Sequence, residues 1–190
     1  MNIYKFKIIA LNILIHFSFY LQEIARFELG NDRFVVINKF RGEVQIHFRQ
    51  YEKNDRGGYY PTKQGVYLTP ARFATLLHFL NEIKNNAETM KEEFRYHLGG
   101  GTFVTGNTDY PLVHIRRYFL PEGQTTSYPT KKGLGLRRGE WITLLGHIEN
   151  IKKLLDNDTL IPCFATHKDS TEEFLCDECH PFKPFPHAAK

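Results

Sequence analysis

Four side chains that can bind a metal lie close together near the end of the sequence. Cys163 and His167 are separated by three residues, and Cys176 and Cys179 are separated by two. Thiolates and imidazoles with such spacings are the usual ligands of tetrahedral structural zinc sites. The sequence therefore predicts a zinc site in the tail, residues 158–190, whose net charge is −3.

Two other interpretations of the tail stay open. The string from Cys176 to His180 also fits a c-type haem attachment site, which would need an oxidising export route and a haem pocket. The cysteines could instead bind nothing, in a flexible tail that Pro181, Pro184 and Pro186 keep extended. All three cysteines lie after residue 160, and one would be left over if two paired, so the chain has no disulfide framework.

Arginines, lysines and aromatic residues form a second group with recognisable chemistry. From Val44 to Arg49 apolar and polar residues alternate, as in a strand with one buried face, and His47 and Arg49 fall on the polar face. Unpaired nucleic acid needs cations for its phosphates and aromatic rings on which bases stack. The net charge is +4, of which residues 26–90 and 91–157 contribute +3 each, and this permits an anionic partner without requiring one.

These residues occur twice because the chain contains an internal repeat. The segment Tyr-Pro-Thr-Lys-Gln-Gly at 60–65 returns as Tyr-Pro-Thr-Lys-Lys-Gly at 128–133, and the strand before it also returns. Each copy leads into a helix with apolar residues at i, i+3, i+4 and i+7, the first with Thr69 as N-cap and Pro70 as its first residue.

The repeat predicts the fold. We expect an α+β protein of two tandem ββββα units, 26–90 and 91–157, each a four-stranded antiparallel sheet plus one helix. Units of about 65 residues have marginal cores, so we expect them to pack together through their helices as a pseudo-dimer.

The first 25 residues are interpreted as an apolar leader of uncertain status. Residues 8–21 are mostly apolar and follow Lys5 and Lys7, as in a signal peptide, but no small-x-small cleavage site precedes Arg26. The run is short for a membrane span, and no membrane partner is expected. A mistranslated leader, or an apolar strand or helix packed on the fold, is the alternative.

Residues 26–90 closely resemble the positive cofactor four family of transcriptional coactivators, and residues 94–155 resemble it more loosely. The resemblance rests on the turn at Phe40-Arg41-Gly42, the Ile-His-Phe-Arg-Gln-Tyr strand at 46–51, and the Pro-Thr-Lys-Gln-Gly turn at 61–65. It implies a curved four-stranded sheet followed by a helix, dimerisation, and non-specific binding of single-stranded DNA or melted duplex. One chain would then hold both channels as an intramolecular pseudo-dimer, or two chains would form a homodimer.

The resemblance also indicates which residues would bind nucleic acid through their charge or their rings. They are Arg33, Phe40, Arg41, Arg49, Tyr60 and Lys63 in the first copy, and Arg116, Phe119, Tyr128, Lys131 and Lys132 in the second. Four positions of the first copy depart from the family's basic or aromatic character: Asn38, Glu43, Glu52 and Gln64. These departures favour an alternative, a protein-interaction scaffold of the same fold with weakened nucleic-acid binding.

Catalytic motifs are missing from the sequence. The run Gly99–Gly101 lacks the Lys-Ser/Thr of a phosphate-binding loop, and there is neither a nucleophile elbow nor a His-Glu-x-x-His motif. We therefore predict a non-enzymatic, single-stranded-DNA-binding coactivator that requires no cofactor apart from the zinc of the tail. Its expected partners are single-stranded DNA, RNA as a further ligand, and transcription proteins. Its expected location is the nucleus, or a secreted or organellar compartment if the leader is real.

Overall fold

The structure is a computed structural model that describes residues 21–182. Two four-stranded antiparallel sheets, each followed by helix, confirm the predicted α+β class. The first unit comprises β1 (Leu21–Gly30), β2 (Arg33–Phe40), β3 (Glu43–Lys53), β4 (Tyr59–Leu68), α1 (Pro70–His78) and α2 (Leu80–Thr89). The second comprises β5 (Phe94–Gly99), β6 (Thr102–Gly106), β7 (Val113–Phe119), β8 (Tyr128–Leu136) and α3 (Arg138–Lys152). The tail adds 3-10 turns at Asn157–Thr159 and Cys163–Thr166, then α4 (Ser170–Leu175).

Strands in each sheet follow chain order, β1-β2-β3-β4 and β5-β6-β7-β8. The helix after the first sheet begins as predicted, with the Thr69 side chain accepting a hydrogen bond from the backbone N–H of Arg72 and with Pro70 in the first turn. Where one helix was expected there are two, because Phe79 separates α1 from α2.

The repeated Tyr-Pro-Thr-Lys segment forms the same bulge in both sheets. In β4 the hydroxyl of Thr62 donates to the carbonyl of Gln50 and accepts from a backbone N–H two residues later, and Thr130 does the same in β8. The glycine that follows is required by the close approach of the neighbouring strand. A Cβ at Gly65 would lie 2.6 Å from the carbonyl oxygen of Phe48, and one at Gly133 would lie 2.6 Å from the side chain of Arg116.

One hydrophobic core joins the two units. It contains fully buried residues of both sheets and of their helices, including Phe48, Phe73, Ile115 and Leu144. Strand β4 lies against β8, while α3 packs on β1 and α1 packs on β5. Each unit therefore places its helix on the first strand of the other unit, and strands as well as helices join the units.

Most of the predicted leader lies outside the described residues. Strand β1 begins at Leu21, so residues 21–25 of the range assigned to the leader belong to the first sheet, where Ala25 pairs with Ile37. Within residues 21–182, none of the helices has the length and apolar character needed to cross a membrane.

Candidate nucleic-acid interface

The face of each sheet that points away from the shared core carries a groove. The first groove has a volume of about 290 Å³ and is lined by β1–β4, with Arg26 and Arg49 among its residues. The second groove has a volume of about 910 Å³ and is lined by β5–β8, with Arg95 and Arg116 among its residues. The two grooves are corresponding surfaces of the two units, because Arg26 precedes Arg95 by 69 residues and Arg49 precedes Arg116 by 67.

Each sheet displays an arginine stacked on two aromatic rings beside its groove. In the first unit the guanidinium carbon of Arg26 lies 4.7 Å from the ring centre of Tyr51 and 5.6 Å from that of Phe34. In the second, the guanidinium carbon of Arg95 lies 4.0 Å from the ring of Phe103 and 4.4 Å from that of Tyr118. These cation–π contacts hold a planar cation flat on the surface, where it can meet a phosphate or a base.

The histidines of the two grooves are neutral near pH 7. Burial and the nearby charge of Arg49 lower the pKa of His47 to about 4. Burial and the charge of Arg116 also lower the pKa of His114. The positive charge of the grooves therefore comes from their arginines and lysines.

Three of the predicted nucleic-acid-binding residues line the grooves. Arg49 lies in the first, and its buried Nε has no hydrogen-bond acceptor among the described residues. Arg116 and Lys131 lie in the second, where Nη1 of Arg116 donates to the carbonyl of Thr130 at 2.6 Å. The bulge that carries Lys131 therefore also fixes the orientation of the Arg116 side chain.

Further predicted residues lie on bulges and at the ends of hairpins. Arg41 stacks on Phe40 at the exposed β2–β3 turn, with 5.1 Å between the guanidinium carbon and the ring centre. Phe119 and Tyr128 face each other across β7 and β8, with ring centres 6.3 Å apart and half of Phe119 exposed. The remaining members of this group are exposed on β4 and β8: Tyr60, Lys63 and Lys132.

In the first unit two carboxylates pair with residues of the outer face. The hydroxyl of Tyr60 donates to Oε2 of Glu52 at 2.6 Å, at the position where Tyr128 meets Phe119 in the second unit. Glu23 pairs with Arg26 at 2.7 Å. Two of the cationic or aromatic groups of the first sheet are therefore engaged by carboxylates.

Arg33 lies apart from both grooves, at the junction of the units. Its Nη1 is 2.5 Å from Oε2 of Glu140 in α3, and its Nε donates to Gln50 at 3.0 Å. Glu140 is only 3% exposed and also accepts from Asn31 and from the backbone N–H of Arg137. The structure therefore gives Arg33 a contact between the units.

Several residues on the outer faces were missed by sequence reasoning, notably the stacked arginines Arg26 and Arg95 and the ring of Tyr59. Alternation along β2 could have located this outer face, because Phe34 lies opposite Arg49 of β3 and therefore points to the same side of the sheet. Pairing also puts Tyr59, and not Tyr60, on that face, where it contacts Phe34 with ring centres 5.2 Å apart. Alternation in β4 carried this signal as well, because steps of two back from Gly65, which pairs with Arg49, reach Tyr59 and not Tyr60.

The predicted ligands of the tail are brought together. Sγ of Cys163 lies 3.7 Å from Nε2 of His167 and 3.7 Å from Sγ of Cys176, and all four ligand atoms, including that of Cys179, lie within 4.8 Å of one another. The cysteines are free thiols, and the four residues are half-buried. The cluster could hold a metal ion.

Comparisons with known proteins agree with the resemblance over the first unit. Residues 27–79 match the family described as Transcriptional Coactivator p15 (PC4). A Caenorhabditis elegans protein named "Putative RNA polymerase II transcriptional coactivator" is 33% identical over 58 residues, which are 30% of this chain and 47% of that protein. The matched segment thus spans about half the length of this relative. The resemblance is confirmed for residues 27–79, and the matched range ends before the second unit.

Proposed function

We propose that the chain is a non-enzymatic, coactivator-like protein that binds single-stranded DNA, or the unpaired strands of melted duplex, along the outer faces of its two sheets. The match of residues 27–79 to the coactivator family and the name of the C. elegans relative support a role in transcription, and hence in the nucleus. The second unit is proposed to be a copy of the same domain, since it repeats the strand order and the bulge of the first.

The observation that carries this proposal is the cation–π cluster on each outer face. Arg26 on Tyr51 and Arg95 on Tyr118 occupy corresponding places in the two sheets, next to Arg49 and Arg116. Phosphates need fixed cations, whereas bases need flat polarisable surfaces. Because Phe34, Tyr51 and Phe103 are buried beneath the arginines, the exposed guanidinium planes of Arg26 and Arg95 serve both purposes. Binding of this kind tolerates any sequence because every base has a π-face.

The second groove is the stronger of the two sites in this proposal. It is the larger, about 910 Å³ against 290 Å³, and it contains Lys131 as well as Arg95 and Arg116. In the first groove Glu23 pairs with Arg26, so a phosphate would compete with a carboxylate. The unit outside the family match is therefore expected to contribute more of the affinity.

A protein-interaction scaffold is the second candidate function. The specific observation in its favour is the engagement of Arg26 by Glu23 and of Tyr60 by Glu52, which weakens the first unit as a nucleic-acid site. In this alternative the first sheet recruits a transcription protein.

The test is binding of the full chain to a labelled oligo-dT of about 20 nucleotides, which is longer than the roughly 4–16 nucleotides that one OB fold occupies. Duplex DNA and single-stranded RNA of the same length are compared over a salt series. We expect preference for the single strands and a linear fall of log K with log salt, with a slope of about −0.7 for each phosphate that the protein neutralises.

Charge-removing variants locate the site. Arg116→Gln should weaken binding more than Arg49→Gln, and each should make the salt slope shallower by about 0.7 for each phosphate that is no longer neutralised. Lys84→Gln removes the same charge from the exposed side of α2, and should leave binding nearly unchanged. Absence of oligonucleotide binding at low salt, or equal effects of all three variants, would overturn the proposal and leave the scaffold.

The interface is proposed to work without a cofactor, because phosphate contacts and base stacking need only the side chains described. The Cys₃His cluster is assigned a structural zinc ion, since three thiolates and one imidazole are a donor set that zinc favours over calcium or magnesium. A c-type haem would use Cys176, Cys179 and His180 and leave Cys163 and His167 without a role.

A further inference from the structure

The two junctions between the units are built differently. At the first, Glu140 in the first turn of α3 binds Asn31 and Arg33 at the β1–β2 turn. At the second, the corresponding residue in the first turn of α1 is Arg72, and the β5–β6 turn opposite it is Gly99–Gly101. The residue that corresponds to Arg33 is Thr102, so the ion pair of the first junction has no equivalent between the units at the second.

The tail supplies the missing partner. Glu178 forms a bidentate pair with Arg72, with Nε to Oε1 at 2.5 Å and Nη2 to Oε2 at 2.7 Å. The carbonyl of Glu178 also accepts from the backbone N–H of Gly100 at 2.8 Å. Arg72 and Glu178 are 17% and 29% exposed, so this is a largely desolvated contact. Beyond it Phe182 stacks on Phe103, with ring centres 6.1 Å apart and planes 12° from parallel.

The glycines of the β5–β6 turn make room for this contact. Gly99, Gly100 and Gly101 all have positive φ, of 125°, 52° and 74°. A Cβ on Gly100 would overlap the guanidinium of Arg72. The triple glycine therefore has a structural role, as a turn over which the Arg72–Glu178 pair can lie.

The tail also packs on the units through Leu160, which lies against the shared core, and through Phe164, whose ring centre is 5.1 Å from that of His78. None of the residues 156–182 is fully buried, and Phe174 of α4 is 62% exposed. A segment without a core of its own usually needs a disulfide or a metal to fix its conformation. Its cysteines are free thiols, which leaves the metal.

The sulfurs of Cys163 and Cys176 have the spacing that a shared zinc ion imposes. A tetrahedral ion with Zn–S bonds of about 2.3 Å keeps its sulfurs about 3.8 Å apart, whereas a disulfide brings them to about 2.05 Å. The observed separation of the Cys163 and Cys176 sulfurs is 3.7 Å. Glu178 lies between the ligands Cys176 and Cys179, so an ion bound to both would fix the backbone that carries the Glu178 carboxylate.

We propose that the zinc-bound tail acts as a latch on the second unit. The tail supplies, in Glu178, the carboxylate that the second junction lacks, and it packs Phe182 on the end of the second sheet. This inference rests on the structural zinc ion assigned to the tail and holds whether or not the grooves bind nucleic acid. The tail is then an integral part of the folded protein, and bound zinc determines whether the latch is closed.

The test uses the full chain purified under reducing conditions. Zinc content is measured by elemental analysis, and the geometry by the absorption of the cobalt-substituted protein. Closure of the latch is measured by hydrogen exchange at the amide of Gly100, which Glu178 protects. We expect one zinc per chain, tetrahedral cobalt bands, and exchange at Gly100 at least tenfold faster after chelation.

Three variants separate the zinc site from the latch. Cys176→Ser should lose zinc and protection together. Glu178→Gln should keep zinc but lose protection at Gly100, because the charged pair with Arg72 is broken. His180→Gln, which alters the residue next to a ligand, should keep both.

Each contrary outcome refutes a defined part of the proposal, either the metal assignment or the latch. A chain without zinc, with a disulfide between the tail cysteines or with covalent haem, would overturn the metal assignment and the latch with it. A chain with zinc whose Gly100 exchange is unaffected by chelation and by Glu178→Gln would keep the zinc site and overturn the latch.

Discussion

Replacement of Glu140 by Gln should destabilise the whole molecule, because it breaks the contact that joins α3 to the first sheet. Oε2 of Glu140 accepts from Arg33 at 2.5 Å and from the backbone N–H of Arg137 at 2.8 Å, and Oε1 accepts from Asn31 at 2.7 Å. A glutamine can keep the bond to Asn31, but its NH₂ then faces the two donors that Oε2 served. The variant therefore leaves a guanidinium without its counter-charge at a buried position.

The expected magnitude follows from the burial of the pair. Removing one partner of a buried ion pair costs about 3–5 kcal/mol of the free energy of unfolding. Arg33 is 18% exposed and can regain some water, so we expect a loss near the lower end, about 3 kcal/mol. Urea unfolding followed by circular dichroism and by the fluorescence of Trp141 measures it, since this single tryptophan is adjacent to Glu140 in the sequence and 3% exposed.

Two further variants control this experiment. Glu149→Gln breaks the exposed pair of Glu149 with Lys152 in the same helix and should cost less than about 1 kcal/mol. The double variant Arg33→Gln/Glu140→Gln should recover part of the loss, because no charge is then left buried. A loss below about 1 kcal/mol for Glu140→Gln would refute the idea that this pair fastens the two units together.

Three other predictions concern the grooves and the bulges. In the folded protein His47 has a pKa of about 4, below the ordinary value of 6.5. Its contribution to stability is therefore present above pH 6.5 and is lost as the pH falls towards 4. His47→Gln should flatten the fall in unfolding free energy over this range. Phe119→Ala should weaken single-strand binding by about 1–3 kcal/mol if a base stacks there, whereas Phe174→Ala in the tail should change it little in the same titration. Gly133→Ala should lower the urea midpoint by an amount that corresponds to about 1–3 kcal/mol, because its Cβ would overlap Arg116, while Gly146→Ala, which meets nothing within 4 Å, should raise it slightly. Unchanged pH dependence, equal effects of the two phenylalanines, or a tolerated Gly133→Ala would contradict the respective argument.

The sequence was sufficient to predict the elements that depend on local patterns. Alternation in β3 and the Thr69 and Pro70 helix start lie within short windows, whereas the repeat was recognisable because its copies share the same residues; each has its counterpart in the structure. The four clustered residues of the tail, Cys163, His167, Cys176 and Cys179, were predictable from their local spacings. The role of Arg33 was not, because Glu140 lies 107 residues away and no local pattern connects the two.

The differences between the junctions show what fusion of two units in one chain permits. In a symmetric homodimer both junctions are related by the twofold axis and must use the same residues. Here one junction pairs Arg33 with Glu140, and the other has Arg72 where the first has the carboxylate. An arginine at that position leaves a buried charge unless a third segment brings a partner, and Glu178 is that partner. The covalent link between the units thus allows the second junction to depend on the tail, and it allows the two grooves to differ in charge and size.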